Sequence, residues 1–403
     1  MIVRLMLLAV LVSAPLYAGL WDIDRPAESP AAYDVIGGRF DEFPRAYYES
    51  RYQRVRPVIE AAAKLAENPD STIADRAADA LSAFDDASVA HLRTGQFTEA
   101  IILLDSKSHL MALIRRERAA TVRQHQARYV ANKASCLHHR WNAGATPDAG
   151  DLRLAAELLR DLLKEDQYDS DARWSLREVE WLLVAPHFVS GADPVFPNML
   201  GLRDAAFRNT LDDTALIQAG IGGCLPWLAR RIAYEGGWRD VDVMYAYSLA
   251  LYLSGRTEES LFAWFRVCEL IDAGVRTRVS NAPAPGALKR ALGVHLESVA
   301  NQPDARAVYS ELRQRADAWR ASRTEYVTAQ LKLGRHPDTH ADFWSDWKLA
   351  EPTQPADSPP VSSGVSPALL LGGFGGLLVL LVLILGVTLR VSRRGTAPHL
   401  DEL

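Results

Sequence analysis

Cysteine is scarce: Cys136, Cys224 and Cys268 are the three in 403 residues. They are widely separated and odd in number, which excludes a disulfide framework, and no C-x-x-C spacing offers a zinc or redox site. One bridge stays open; three buried thiols is the simpler expectation. An excess of either charge is also missing, since 45 Lys and Arg face 50 Asp and Glu. This near-neutral balance gives no support to nucleic-acid binding, which would show a basic face, and no nucleic-acid partner is expected. H-E-x-x-H, G-x-S-x-G, P-loop and dinucleotide glycine patterns are absent, so no reaction is legible and no metal or cofactor is expected. No N-x-S/T sequon occurs, which argues against a glycosylated ectodomain. Period-two alternation is rare, which argues against a sheet domain.

What the chain does have is apolar residue at helical spacing. At 48% hydrophobic residues it can bury a large core. In "FPRAYYESRYQRVRPVIEAAAKLAENPD" Tyr48, Tyr52, Val55, Ile59 and Ala62 fall on one helix face, and Asn68-Pro69 stops it. "STIADRAADALSAFDDASVAHLRTG" follows, with Ser71 or Thr72 as cap and Gly95 as terminator. Pro186, Pro194 and Pro197 break the pattern mid-chain, while Phe188, Val195 and Phe196 suggest an ordered loop between two helical halves. Residues 303–334 read as one long helix from Pro303 to Gly334, with a break near Ala321 equally allowed.

An internal comparison refines this reading. "SVAHLRTGQFTEAIILL" aligns with "SLALYLSGRTEESLFAW", matching Ser88 to Ser248, Gly95 to Gly255 and Ala100 to Ser260. Small residues there let antiparallel helices touch, and the glycine turns the chain between them. This spacing resembles the tetratricopeptide repeat, a helical hairpin of about 34 residues. The resemblance implies an all-α fold, a repeat solenoid or an irregular helical array, that gathers protein partners. The chain departs from that family where Ala112 and Asp272 replace its usual proline, and where Phe84 and Met244 replace its frequent tryptophan. A third unit with a longer turn is expected around Gly144.

Both termini point to a membrane. Residues 1–18, with Arg4 before an apolar core and small residues at Ala18, have the order of a secretory signal peptide. From Ala368 to Leu389 no charge interrupts an apolar run. As a helix that run measures roughly 33 Å, against a hydrocarbon core of about 30 Å. Arg390, Arg393 and Arg394 follow, placing the tail in the cytoplasm by the positive-inside rule. The expected organisation is a signal peptide at 1–18, an extended segment at 19–43 and an extracytoplasmic, periplasmic helical domain at 44–349. A Pro/Ser-rich stalk at 350–366, a span at 367–389 contacting the bilayer through 368–389, and a basic tail at 390–403 complete it. Gly372 and Gly376 have the small-xxx-small spacing of helix self-association. The ending also resembles bacterial C-terminal sorting tags, but lacks a Pro-Glu-Pro motif and continues past the arginines; a processed tail is the alternative it leaves.

Four clusters deserve a chemical reading. "HPDTH" sets His336 and His340 around Asp338, a metal pattern on a helix, but Pro337 and Gly334 make it a turn. "CLHHRW" points His138 and His139 to different sides of a helix, one packed and one solvated. Cys224 beside Arg230 and Arg231 suggests a lowered thiol pKa, though no histidine partner is in view and a buried cysteine at a helix start explains it equally. Trp227, Arg230, Arg231, Tyr234, Trp238 and Tyr245 combine the residue types of recognition hot spots. They are the candidate partner-binding set, and the competing reading puts the aromatics in the seam between hairpins with the arginines on the outer face. The functional expectation is a membrane-anchored scaffold for protein partners; its rival is a hydrolase-like envelope enzyme on a helical frame.

Overall fold

Apolar spacing, small residues and glycine turns generate the framework of the chain. The computed structural model describes residues 29–67, 72–144, 149–167, 169–188, 196–202, 210–296 and 303–348. Among them are thirteen α-helices and no strand. These residues fall in the unit Met1–Leu349, and the second unit, Ala350–Leu403, lies outside the described residues. So do the expected signal peptide, stalk, span with Gly372 and Gly376, and tail, as well as Pro194 and Val195. No described helix is long and apolar enough to cross a membrane.

The first half is a run of sequential neighbours. Helices α2 (Arg45–Glu67), α3 (Ile73–Arg93), α4 (Phe97–Ile114), α5 (Ala119–Asn142), α6 (Gly150–Glu165) and α7 (Ser170–Val184) each pack on the next. Helix α2 buries Tyr48, Val55, Ile59 and Ala62 as its spacing predicts, and continues through Pro57 without a break. It also buries Tyr47 and Arg51, which the apolar pattern does not announce. Between α3 and α4 the chain reverses at Gly95, whose φ of 82° lies in the left-handed region that glycine adopts at no steric cost. Ser88 and Ala100, on either side of that turn, are fully buried.

The second matched hairpin has the same construction. Helices α10 (Val241–Leu253) and α11 (Thr257–Asp272) reverse at Gly255, φ 77°. Their backbones approach so closely that each serine reaches the other's carbonyl. Ser248 Oγ donates to Ser260 O at 2.8 Å, and Ser260 Oγ donates to Ser248 O at 2.6 Å. A larger side chain at either position would push the helices apart. The third expected hairpin is α5–α6, with Gly144 at φ 72°.

Three features go beyond the sequence reading. Within 19–43, expected to be extended, residues Ala32–Gly37 form a short helix, α1, with Val35 and Ile36 fully buried. Between the two halves lie the short helix α8 (Asp213–Gln218) and α9 (Cys224–Tyr234), and Phe196 of the proline-rich loop is buried as expected. After α12 (Pro285–Leu292), residues 303–332 form one uninterrupted helix, α13, running Pro303–Lys332. It returns to pack on α1, α2 and α11, joining the two ends of the array.

Helix α13 has an unusual inner face. Arg306, Arg313 and Arg320 recur every seven residues, alternating with buried Tyr309 and Ala316. Arg306 lies 4.6 Å from the Phe265 ring centroid, and Arg313 and Arg320 each lie 4.5 Å from that of Trp238. Guanidinium planes on aromatic faces thus stand where a helix seam usually carries leucine.

A candidate recognition cavity between two glycine turns

The six residues singled out from the sequence divide into two groups. Trp227, at 5% exposure, stacks on Trp174 with centroids 6.1 Å apart. Tyr245, at 1%, meets Phe196 edge-on at 6.4 Å. Arg230 is buried against Asp171, and Arg231 Nε donates to both Glu178 carboxylate oxygens at 2.9 Å. These arginines do not solvate the outer face; they fasten α9 to the acids of α7, whose charge makes their burial tolerable. Tyr234 and Trp238 are placed differently, because both line a cavity of about 320 Å³.

Local chemistry explains how that cavity is walled. Helix α9 stops at "EGGW". Gly236 takes φ 80°, and a Cβ on Gly237 would lie 2.9 Å from both Arg231 O and a Val243 methyl. Asp240 then caps α10, accepting from Asp242 N at 2.8 Å and Val243 N at 3.1 Å. This tight link turns Trp238 inward and leaves Arg239 exposed. Opposite stands the Gly95 turn, with Leu92, Arg93 and Phe97 beside it. The third wall, Phe40 to Phe43, is the connecting segment between α1 and α2.

Aromatic faces dominate this space, with charge at its edge. Phe43, Phe97 and Tyr234 are half-buried and therefore reachable, while Phe40, Tyr48 and Trp238 are buried behind them. Trp238 is clamped by Arg266, 3.5 Å from its ring centroid, and by Phe40 at 6.1 Å. Its indole Nε1 is buried and has no acceptor among the described residues. Glu42 and Arg239 pair at 2.6 Å on the rim, and Asp41 accepts from Arg323 Nη2 at 2.9 Å. His139 also lines the cavity; burial, with His138 and Arg231 beside it, holds its pKa well below the ordinary imidazole range. The site therefore offers flat apolar surface, a neutral imidazole and rim charges of both signs, which suits contact better than proton transfer.

Behind the cavity the C-terminal segment is locked to α2. Phe43 stacks on Tyr47 at 4.1 Å, and Tyr47 stacks on His336 at 4.6 Å. Arg51, fully buried, grips Asp338 through Nε at 2.9 Å and Nη2 at 3.0 Å, and the Tyr47 hydroxyl donates to the same carboxylate at 3.0 Å. Burial pushes the Asp338 carboxyl up, but the Arg51 hydrogen bonds and charge outweigh it and hold it below the usual range. "HPDTH" is thus a turn whose aspartate is a clasp. His340 folds back on it, with Nδ1 3.2 Å from His336 N and O. Among the described residues no group of three or more His, Cys, Asp or Glu could hold a metal ion.

The remaining reactive types are enclosed. All three cysteines are free and buried. Burial pushes the Cys224 thiol up to about 12, outweighing the neighbouring Arg177, so the environment suppresses thiolate rather than favouring it. Ser248 Oγ lies 3.3 Å from His295 Nε2, a nucleophile–base spacing, yet Ser248 is fully buried and already bonded across the hairpin. His138 is buried, with its pKa pushed down to about 3 by that burial. A second buried network joins Asp85 to Lys107 Nζ at 2.6 Å and to Asn132 at 3.2 Å, tying α3, α4 and α5 together.

The sequence missed this arrangement because Arg51 and Asp338 are far apart in the chain. The arginines of α13 did leave a readable trace in their seven-residue spacing. No family model matches the chain, and no curated protein or solved structure matches it either.

Proposed function

We propose that the chain is a membrane-tethered, extracytoplasmic helical-repeat scaffold that holds a protein partner at the cavity between the Gly95 and Gly236 turns. It acts by contact and not by catalysis. The tetratricopeptide-like reading of its hairpins rests on Ser88, Gly95 and Ala100 and on Ser248, Gly255 and Ser260, whose burial and turn geometry fit that unit. The topology rests on the sequence of the two ends: signal peptide, stalk, apolar span and arginine cluster.

One observation carries the binding site. Reachable aromatics from three separate stretches, Phe43, Phe97 and Tyr234, converge on one cavity backed by buried Trp238 and rimmed by Arg239 and Glu42. Rigid aromatic surface with a charged rim is the composition of an energetic hot spot. At about 320 Å³ the space admits one or two side chains of a partner, not a large cofactor.

Affinity purification from detergent-solubilised membranes after mild crosslinking tests this. A reproducible companion is expected with the natural chain and is lost with Phe97→Ala combined with Tyr234→Ala, while helical circular dichroism stays unchanged. A natural chain recovered alone ends the reading.

A further inference from the structure

We infer that residues 335–348 are a latch that positions one wall of the cavity, with His336 and Asp338 acting on the partner site through Phe43. Two walls of that cavity are glycine turns braced by the helices they join. The third, Phe40 to Phe43, is a connecting segment with no helix of its own. Its position therefore depends on the side chains packed behind it.

Behind that wall three rings form a column. Phe43 lies on Tyr47 with the planes 17° apart, and Tyr47 lies on His336 with the planes 16° apart. The Tyr47 hydroxyl donates to Asp338, and the Tyr47 ring meets Tyr48, which also lines the cavity, at 4.9 Å. Asp338 thereby holds the middle ring of the column in plane, and Phe43 rests on that ring. A second route runs through α13. Trp344 stands 6.5 Å from Phe43, and the Arg323 guanidinium lies 3.6 Å from the Trp344 ring centroid while it binds Asp41. The latch thus reaches Asp41, Phe43 and Tyr48, three lining residues on one side of the cavity.

Spin labels on Glu42→Cys and Thr98→Cys, on two walls of the cavity, read the wall position in the full chain in detergent. Both positions are exposed, and the native cysteines are buried and stay unlabelled. One narrow distance is expected in the otherwise natural chain. His336→Ala removes one ring of the column and leaves the Asp338 carboxylate in place; it should lengthen and broaden that distance by several ångströms. Asp338→Asn should do so further. Asp342→Asn, at the surface of the same segment, should change nothing, and no variant should move a control pair on Thr98→Cys and Leu154→Cys. Regulation of binding in this way rests on the cavity being the partner site, so recovery of the companion is read alongside. It should fall several-fold with His336→Ala and hold with Asp342→Asn. A wall distance unchanged by both variants, an equal shift in the control pair, or full recovery of the companion with His336→Ala would each overturn the inference. A natural chain recovered alone, while the wall distance still responds, would end the reading of the site and leave the latch standing.

Discussion

Replacing Asp338 with asparagine should release the clasp that holds residues 335–348 to α2. Arg51 is fully buried and Asp338 has 6% side-chain exposure, so the pair sits away from solvent screening. Breaking a buried pair costs about 3–5 kcal/mol, because the remaining charge is left uncompensated. Asparagine keeps one carbonyl acceptor for the guanidinium, which puts Asp338→Asn near the lower end, about 3 kcal/mol. The melting temperature of the full chain in detergent, followed by far-UV circular dichroism, should fall by about 4–5 °C, because a folded unit of this size melts with an entropy of roughly 0.6–0.7 kcal/mol/K. Asp342→Asn is the control. Asp342 is 71% exposed and pairs with Arg335 at the surface, and such pairs contribute about 0–1 kcal/mol. The pH dependence has a fixed sign. The folded pKa of Asp338 lies below the unfolded value of about 3.9, so the contribution is full above that value. It disappears as pH falls through the folded pKa, and the gap between natural and variant chains closes with it. A loss below about 1 kcal/mol, no larger than the control, would mean that the Arg51–Asp338 pair contributes no more than a surface pair and is no clasp.

Other outcomes follow from the same physics. Burial pushes the Asp86 carboxyl up to about 6, with Asp338 and Asp85 adding to it against Arg51. The folded chain therefore binds that proton more tightly than the unfolded one, and stability falls as pH rises from about 4 through about 6. Asp86→Asn should stabilise by about 1–3 kcal/mol near pH 7 and gain nothing near pH 4, measured by urea unfolding. Gly255→Ala should cost about 1–2 kcal/mol from left-handed strain alone, since nothing lies within 4 Å of an added Cβ. Ser260→Val should cost more, about 2–4 kcal/mol, by breaking the reciprocal bonds to Ser248 and crowding the seam. A maleimide should leave Cys136, Cys224 and Cys268 unlabelled in the native chain and label all three after denaturation, by intact mass.

The hairpins were legible because their determinants are local. Ser248, Gly255 and Ser260 lie within one short stretch, and a glycine turn between small residues encodes a close helix crossing whatever surrounds it. Helix α13 was legible as a helix for the same reason, and its unbroken length follows from helix-forming residues across Ala321. The seams between distant elements were not. Trp238 reads equally as a hot-spot or a core residue until Arg266, Arg313 and Arg320 are seen around it. Arg230 and Arg231 read as surface charge because their acids, Asp171 and Glu178, stand on another helix. Residues 32–37 gave too short a pattern to mark a helix, and their packing against α13 and α11 makes them one. The cavity draws on residues 40–43, 92–97 and 232–239, a convergence that no local motif could announce.

A photoactivatable phenylalanine analogue in place of Phe97, irradiated in intact cells, addresses the binding claim most directly. One reproducible protein adduct is expected at that position, lost when Tyr234→Ala is added, and no such adduct is expected from Leu154 on α6. Absence of any adduct at position 97, or the same adducts from both positions, would contradict it.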